Sequence, residues 1–254
     1  YRMVCGLILL LLGCRELEVP MRPALLDEGQ LAKAQLQAEV ELRHSFGGRL
    51  RYHAELRTVA HADSLNILLA TGSSPATAIE KLLLRYPTLF GCESSVQLEL
   101  VGTVTERDGS RHVTLRQVQR EVTVWGSSLT GHIDTEGRLR RIHAHTVPLM
   151  SWPAESSLPR YGAEEARQEA LRLLAKELPQ VSAAATTPKL YYLPAQRRLS
   201  LVYRIELSGQ DGELPIRQAW FLSAQDLSVR AREELVAATD VPLSVSGRGV
   251  GVLG

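Results

Sequence analysis

The sequence predicts an α+β protein of two tandem modules, each a helix packed on an antiparallel sheet. Apolar residues recur first at helical spacing and then at the two-residue spacing of strands, and this order occurs twice along the chain. A segment rich in proline and serine separates the two copies. The length of 254 residues also fits about two domains of roughly 150 residues each.

Composition narrows the class of function. A hydrophobic content of 44% is ordinary for a folded domain, so disorder is not expected. The net charge is +1, which excludes a nucleic-acid binder that depends on a strongly basic surface.

Residues 1–14 have the pattern of an export signal. Arg2 precedes the apolar run Leu7–Leu12, which is shorter than the ~20 residues that a membrane-spanning helix needs. The stretch Leu11–Cys14 is similar to a bacterial lipobox, which implies lipidation of Cys14 and a secreted or outer-membrane lipoprotein. An ordinary signal peptide, cleaved a little later, is the alternative.

The first module is predicted over residues 71–148, with 15–70 as a spacer or as part of it. Ser74 and Pro75 are a typical N-cap and first helical residue. The helix then carries an apolar stripe at i, i+3, i+4 and i+7, formed by Ile79, Leu82, Leu83 and Tyr86. Strands follow, predicted at Val96–Leu100, Arg111–Val118, Val122–Ile133 and Arg138–Val147.

Residues 149–161 are predicted to be a linker, and the second module follows over 162–235. A helix is expected from Ala163 to Leu178 because alanine and leucine form one apolar face. The strands of this module are predicted at Lys189–Leu193, Leu199–Leu207, Ile216–Leu222 and Leu227–Arg232. Residues 236–254 form a glycine-rich ending.

No catalytic or metal-binding motif occurs in the sequence, which lacks His-Glu-x-x-His, a phosphate loop and a nucleophile elbow. His143 and His145 share one face of a predicted strand, but two ligands without a nearby carboxylate or cysteine make a poor zinc site. Solvated or hydrogen-bonded histidines are favoured there. His112 and His132 are candidate general bases, although no serine or cysteine motif accompanies them. We therefore assign no catalytic residue and no metal ligand to this chain.

A family resemblance emerges from the strands of the first module. The segments Arg111–Gln117, Val122–Gly126 and Gly131–Gly137 resemble the fungalysin/thermolysin propeptide domain, which has corresponding strands and a His-(Leu/Ile)-Asp-x-x-Gly turn. The residues that carry the resemblance are His112, Val113, Gln117, Val124, Trp125, Gly126, His132 and Gly137. The chain departs from the family pattern at Thr114, Arg116 and Thr123.

Two further segments have similar counterparts. Residues 162–233 look like a PepSY module, with Ser223 where that family has aspartate. The ending Gly249–Gly254 is similar to the first residues of a mature thermolysin-type catalytic domain.

The resemblance implies the pro-region of a secreted thermolysin-like zinc metalloendopeptidase. Such a region acts as intramolecular chaperone and inhibitor of a catalytic domain linked in cis. Zinc and calcium would then bind to that downstream domain, and this segment would bind no metal ion. Autoproteolysis would cut an accessible processing region made up of Val236, Ala237, Ala238, Thr239, Asp240 and Ser246.

Two other functions stay open on the sequence. The first is a stand-alone exported lipoprotein that binds or inhibits proteases in trans through a PepSY-type module, since exposed strand edges pair with extended segments. The second is a carrier of an apolar ligand, which an aromatic content of 5% disfavours.

Overall fold

The computed structural model describes residues 27–69, 72, 74–92, 97–149, 151–211 and 214–235. The helices are α1 (Glu28–Phe46), α2 (Pro75–Arg85), α3 (Pro87–Phe90) and α4 (Ala163–Glu177). The strands of the first sheet are β1 (Arg49–Tyr52), β2 (Val59–Asp63), β3 (Ile67–Leu68), β4 (Leu98–Thr105), β5 (Arg111–Gln119), β6 (Val122–Thr123), β7 (Ser128–Ile133) and β8 (Arg138–His145). Those of the second are β9 (Ser182–Ala185), β10 (Lys189–Ala195), β11 (Arg198–Asp211), β12 (Leu214–Ser223) and β13 (Val229–Glu234).

The predicted fold class is confirmed: the protein is α+β, with two antiparallel sheets in tandem. The first sheet runs in the order β1-β2-β8-β7-β5-β4, with β3 beside β8 and β6 beside β5. The second runs β10-β11-β12-β13, with β9 beside β11. Within the described residues, no helix combines the length and apolarity needed to cross a lipid bilayer.

Helix α2 begins where the sequence predicts. The Ser74 hydroxyl accepts a hydrogen bond from the backbone N–H of Thr77 at 3.1 Å, and Pro75 occupies the first turn. The apolar stripe of α2 packs with the inward side chains of β5, β7 and β8 in one core. The alternate side chains of those strands lie on the opposite face of the sheet, where they are partly exposed, and we call this the open face.

The segment before α2 belongs to the first sheet. Asp27 caps α1 in a capping box with Gln30, and Leu42 of that helix is fully buried in the first core. Strand β2 then pairs with β8 through His61–His143 and Ala62–Ile142. Residues 28–68 thus complete the sheet rather than serving as a spacer.

One predicted strand is divided. The sequence predicts a continuous strand from Val122 to Ile133, but the structure has β6 and β7 with an intervening turn. Gly126 lies in this turn with φ of +72°, a conformation that glycine adopts readily. The reason for the break is tertiary, because Val124 and Trp125 leave the first sheet to contact the second.

The second module is built on the long antiparallel pair β11–β12, which runs from Val202–Ser223 to Asp211–Leu214. Helix α4 covers one face with Ala166, Ala170 and Leu174, all buried. Strand β9 was not predicted, because its Ser-Ala-Ala-Ala sequence lacks the β-branched and aromatic residues typical of strands.

Candidate functional site

The residues that carry the family resemblance hold the two modules together and support the first core. Gln117 is fully buried, and its side chain spans two separate parts of the chain. Its Nε2 donates to the carbonyls of Gly91 (3.2 Å) and Val147 (2.9 Å), while its Oε1 accepts from the Val147 N–H at 2.7 Å. The glutamine therefore joins the end of α3 to the end of β8.

Trp125 joins the first module to the second. The Trp125 backbone N–H donates to the carbonyl of Tyr192 at 2.8 Å, beside a parallel bridge between Val124 and Tyr192. The indole Nε1–H donates to Glu233 at 3.0 Å. Its ring lies 5.1 Å from that of Tyr191, and the Arg204 guanidinium lies over it at 4.7 Å. We call this arrangement the Trp125 joint.

The segment between the modules is fixed to the second sheet. Glu155 accepts hydrogen bonds from the N–H of Leu201 (2.9 Å) and the hydroxyl of Ser200 (3.2 Å). Its backbone carbonyl accepts from Tyr192 and from Arg120, each at 2.8 Å. This connection is a second link between the modules, because Arg120 belongs to the first module and Tyr192, Ser200 and Leu201 to the second.

A cleft of about 790 Å³ lies where the modules meet. Its walls include Trp125, Trp152 and Leu193, and its polar rim includes Arg57 and Arg197. Both arginines pair with Glu28 at the start of α1, Arg57 at 3.5 Å. The cleft thus combines apolar walls with two arginines whose charge is partly balanced by Glu28.

The two candidate bases of the sequence analysis lie beside each other. His112 and His132 are cross-strand partners on β5 and β7, with ring centroids 4.4 Å apart. Burial, with the neighbouring His112 and His143 rings and Arg141, lowers the pKa of His132 to about 4. His112 also lies 3.5 Å from Glu106.

His143 and His145 share a strand face as predicted, but each contacts a different histidine. The Nδ1 atoms of His143 and His61 are 2.7 Å apart, whereas His145 packs edge-on against His53 with centroids 4.7 Å apart. Across the part of the chain that the structure describes, no group of three or more His, Cys, Asp or Glu side chains is arranged to hold a metal ion. The hydrogen-bonded alternative is the one that describes His143.

Two turns, one after Asp134 and one after Ser223, are stabilised by hydrogen bonds from backbone N–H groups to a short side chain. Asp134 accepts from the N–H groups of Glu136 (3.0 Å) and Arg138 (2.8 Å), and Gly137 completes the turn with φ of +79°. In the second module, the Ser223 hydroxyl accepts from the N–H groups of Gln225 and Asp226 at 3.2 and 3.3 Å. The Ser223 hydroxyl thus serves as the side-chain acceptor that stabilises this turn.

Sequence reasoning missed several residues of these sites. His53, His61 and Glu155 lie far along the chain from the groups that they contact, so no local pattern marks them. The proposed lipidation residue Cys14 and the processing residues 236–246 lie outside the described residues.

Comparison with known proteins gives one family match. The fungalysin/thermolysin propeptide motif matches residues 96–145, which span β4 to β8. No curated protein matches the chain. Among solved structures, the C-terminal domain of YpeB from Bacillus megaterium is similar at 11% identity and a TM-score of 0.33. That match covers 84% of this chain and 100% of the other.

The motif match confirms the resemblance for the strands of the first module. Residues 96–145 are therefore similar to a protease propeptide motif. The resemblance of residues 162–233 to a PepSY module stays a prediction.

Proposed function

We propose that this chain is the pro-region of a secreted thermolysin-like zinc metalloendopeptidase. In this proposal, it assists the folding of a catalytic domain whose first residues are Gly249–Gly254, inhibits that domain, and is removed by autoproteolysis. Zinc and calcium belong to the catalytic domain. A lipid chain on Cys14 is the proposed membrane attachment.

The propeptide motif over residues 96–145 carries the proposal. The structural roles of the motif residues support it. Gln117 secures the first core and Trp125 contacts the second module, so two residues of the motif help to fix the arrangement of the modules. A rigid body with a fixed surface suits an inhibitor, because little ordering entropy is lost when it binds.

Tethering accounts for inhibition without tight intrinsic binding. A short flexible link gives an effective concentration of about 1 mM, so an affinity of about 1 μM leaves roughly one molecule in a thousand uninhibited. Cleavage between Val236 and Ser246 removes this advantage, since the released pro-region then dissociates on dilution. The same segment therefore serves as both tether and release site.

The proposal is tested with the full chain, lacking only residues 1–14, and a thermolysin-like catalytic domain. We expect micromolar inhibition in trans and a higher yield of active enzyme when the denatured catalytic domain refolds with the pro-region present. A Trp125→Ala variant, whose modules are no longer fixed, should inhibit more weakly than the matched Trp125→Phe variant. The proposal would be overturned if the pro-region, at a concentration 100 times the expected dissociation constant, neither inhibited the catalytic domain nor assisted its refolding.

Maturation of the precursor separates the cis function from the stand-alone alternative. The gene is expressed beyond Gly254, and the N-terminus of the mature enzyme is sequenced. We expect the cut to lie between Val236 and Ser246. A reading frame that ends soon after Gly254, with inhibition retained in trans, would instead establish the stand-alone inhibitor.

A further inference from the structure

Histidines are gathered on the open face of the first sheet. Of the seven histidines in the sequence, six contact another histidine ring. Four form a continuous row across β5, β7, β8 and β2, in the order His112, His132, His143 and His61. The centroid separations along this row are 4.4, 5.0 and 4.7 Å.

The end of this row coincides with a short junction in the sheet. Strands β2 and β8 pair through only two residue pairs, His61–His143 and Ala62–Ile142. The Nδ1 atoms of the two histidines are 2.7 Å apart, so one must donate a proton and the other accept it. We call this pair the histidine latch.

The histidine latch is stable with one of its two rings positively charged, but not with both. When one ring is an imidazolium and the other is neutral, the Nδ1–H···Nδ1 bond is retained. When both are protonated, two N–H groups face each other and two positive charges lie side by side. The same constraint applies along the row, where only alternate rings can carry a proton without a charged neighbour.

The charges around the row do not relieve this repulsion. Asp63 on β2 is a carboxylate beside the row, and it already pairs with Arg51 of β1 (3.3 Å) and Arg141 of β8 (2.7 Å). At the far end, Glu106, after β4, lies 3.5 Å from His112. Burial, the His61 ring and Arg141 lower the pKa of His143, while Asp63 acts in the opposite direction more weakly.

We propose that the histidine latch is an acid-released device that holds residues 28–63 on the first sheet. In acid the histidines bind more protons in the opened or unfolded state than in the closed row. Opening therefore becomes more favourable as pH falls below about 6.5. Strands β1 and β2 then leave β8 together with α1. This inference stands on the histidine geometry and does not require the proposed protease function.

Other contacts define the limits of the opening. His53 lies 3.0 Å from the carbonyl of Ala144 through its Nε2, and the Thr58 hydroxyl donates to the carbonyl of Thr146. Both bonds join the same segment to β8 and the residues after it, so they break together with the latch. The segment also contacts the second module, since Glu28 pairs with Arg197 and Leu56 packs against the second core, so these contacts break on opening while the second sheet keeps its own strand pairing.

Hydrogen exchange at pH 7.5 and pH 5.0 tests the proposal on the chain lacking residues 1–14. After correction for intrinsic exchange, protection of the amides at 59–63 should fall at least about tenfold in acid, as expected for one extra proton bound on opening. Protection of 216–222 in β12 should not change. In the double variant His61→Gln, His143→Gln, protection of the same amides should fall less than about threefold in acid. In His44→Gln, which changes a histidine of α1 outside the row, protection should fall as it does in the parent.

Equal acid loss in the double variant, or no loss in the parent, would overturn the proposal. If the double variant does not fold, the single variant His143→Gln is used in its place, because it also removes the possibility of two adjacent imidazolium charges. Imidazole NMR titration of the parent gives a second readout. His61 and His143 both fully protonated above pH 6 in a folded protein would contradict the latch.

Discussion

The two sheets differ in how far along the chain their paired strands lie. The second sheet is centred on β11 and β12, neighbours in sequence joined by a long ladder. In the first sheet, β2 pairs with β8, which lies about 80 residues further along the chain, through two residue pairs. A long local ladder is formed cheaply, whereas a short distant one depends on side chains around it. The first module therefore places the His61–His143 contact at a strand pairing that has few backbone pairs.

Removal of Gln117 should break the first module most severely. Gln117→Ala removes the partner of the Val147 N–H, takes one of two hydrogen bonds from each of the Gly91 and Val147 carbonyls, and creates a cavity, so we expect a loss of about 3–4 kcal/mol in unfolding free energy. Urea unfolding measures this loss. The exposed Gln168→Ala on α4 should change stability by less than about 0.5 kcal/mol. A Gln117→Ala effect no larger than that control would show that the tie is dispensable.

Two glycines with the same backbone conformation should differ sharply. Gly91 and Gly126 have φ of +76° and +72°, but a Cβ on Gly91 would lie 2.3 Å from the Val147 carbonyl oxygen, and one on Gly126 meets nothing within 4 Å. Gly91→Ala should cost about 3 kcal/mol and Gly126→Ala about 1 kcal/mol, the cost of the backbone alone. Thermal unfolding of both variants measures the difference. Equal costs would mean that α3 and β8 can separate freely.

Loss of the Trp125 ring should uncouple the modules. Trp125→Ala removes packing against Tyr191 and the bond to Glu233, so we expect about 2–3 kcal/mol less coupling and two separate calorimetric transitions. Trp125→Phe keeps most of the packing and loses one hydrogen bond, about 1 kcal/mol. It should retain a single transition. A single transition in the alanine variant would indicate that the Glu155 connection suffices.

Acid should affect the modules in different pH ranges. The pKa of His132 is lowered to about 4, so the first module loses stability as pH falls from 6.5 to 4, where only the unfolded chain is protonated. In the second module, hydrogen bonds from Arg167 lower the pKa of Glu164 to about 2, so its small contribution is lost only below about pH 4.5. Calorimetry of the Trp125→Ala variant, in which the modules unfold in separate transitions, distinguishes the two losses at pH 7.5, 5.0 and 3.0. Simultaneous loss in both modules between pH 7.5 and 5.0 would refute this order.

The periodic elements were predicted well. The Ser74 cap, the apolar stripe of α2 and the helix from Ala163 rest on local signals, because capping and amphipathic spacing act within a few residues. The break within Val122–Ile133 was not predicted, since its cause is the contact between Trp125 and the second sheet. Strand β9 was missed because pairing with β11, rather than propensity, makes it a strand.

The sequence by itself determined the α+β class, the two-module order and the propeptide resemblance, since these depend on periodicity, turns and motif residues that are contiguous in the chain. Only the tertiary structure decided what the motif residues do. The Gln117 tie, the Trp125 joint and the His61–His143 latch each join groups separated by more than 25 residues. Such pairs depend on strand order and register, which single-sequence patterns do not encode.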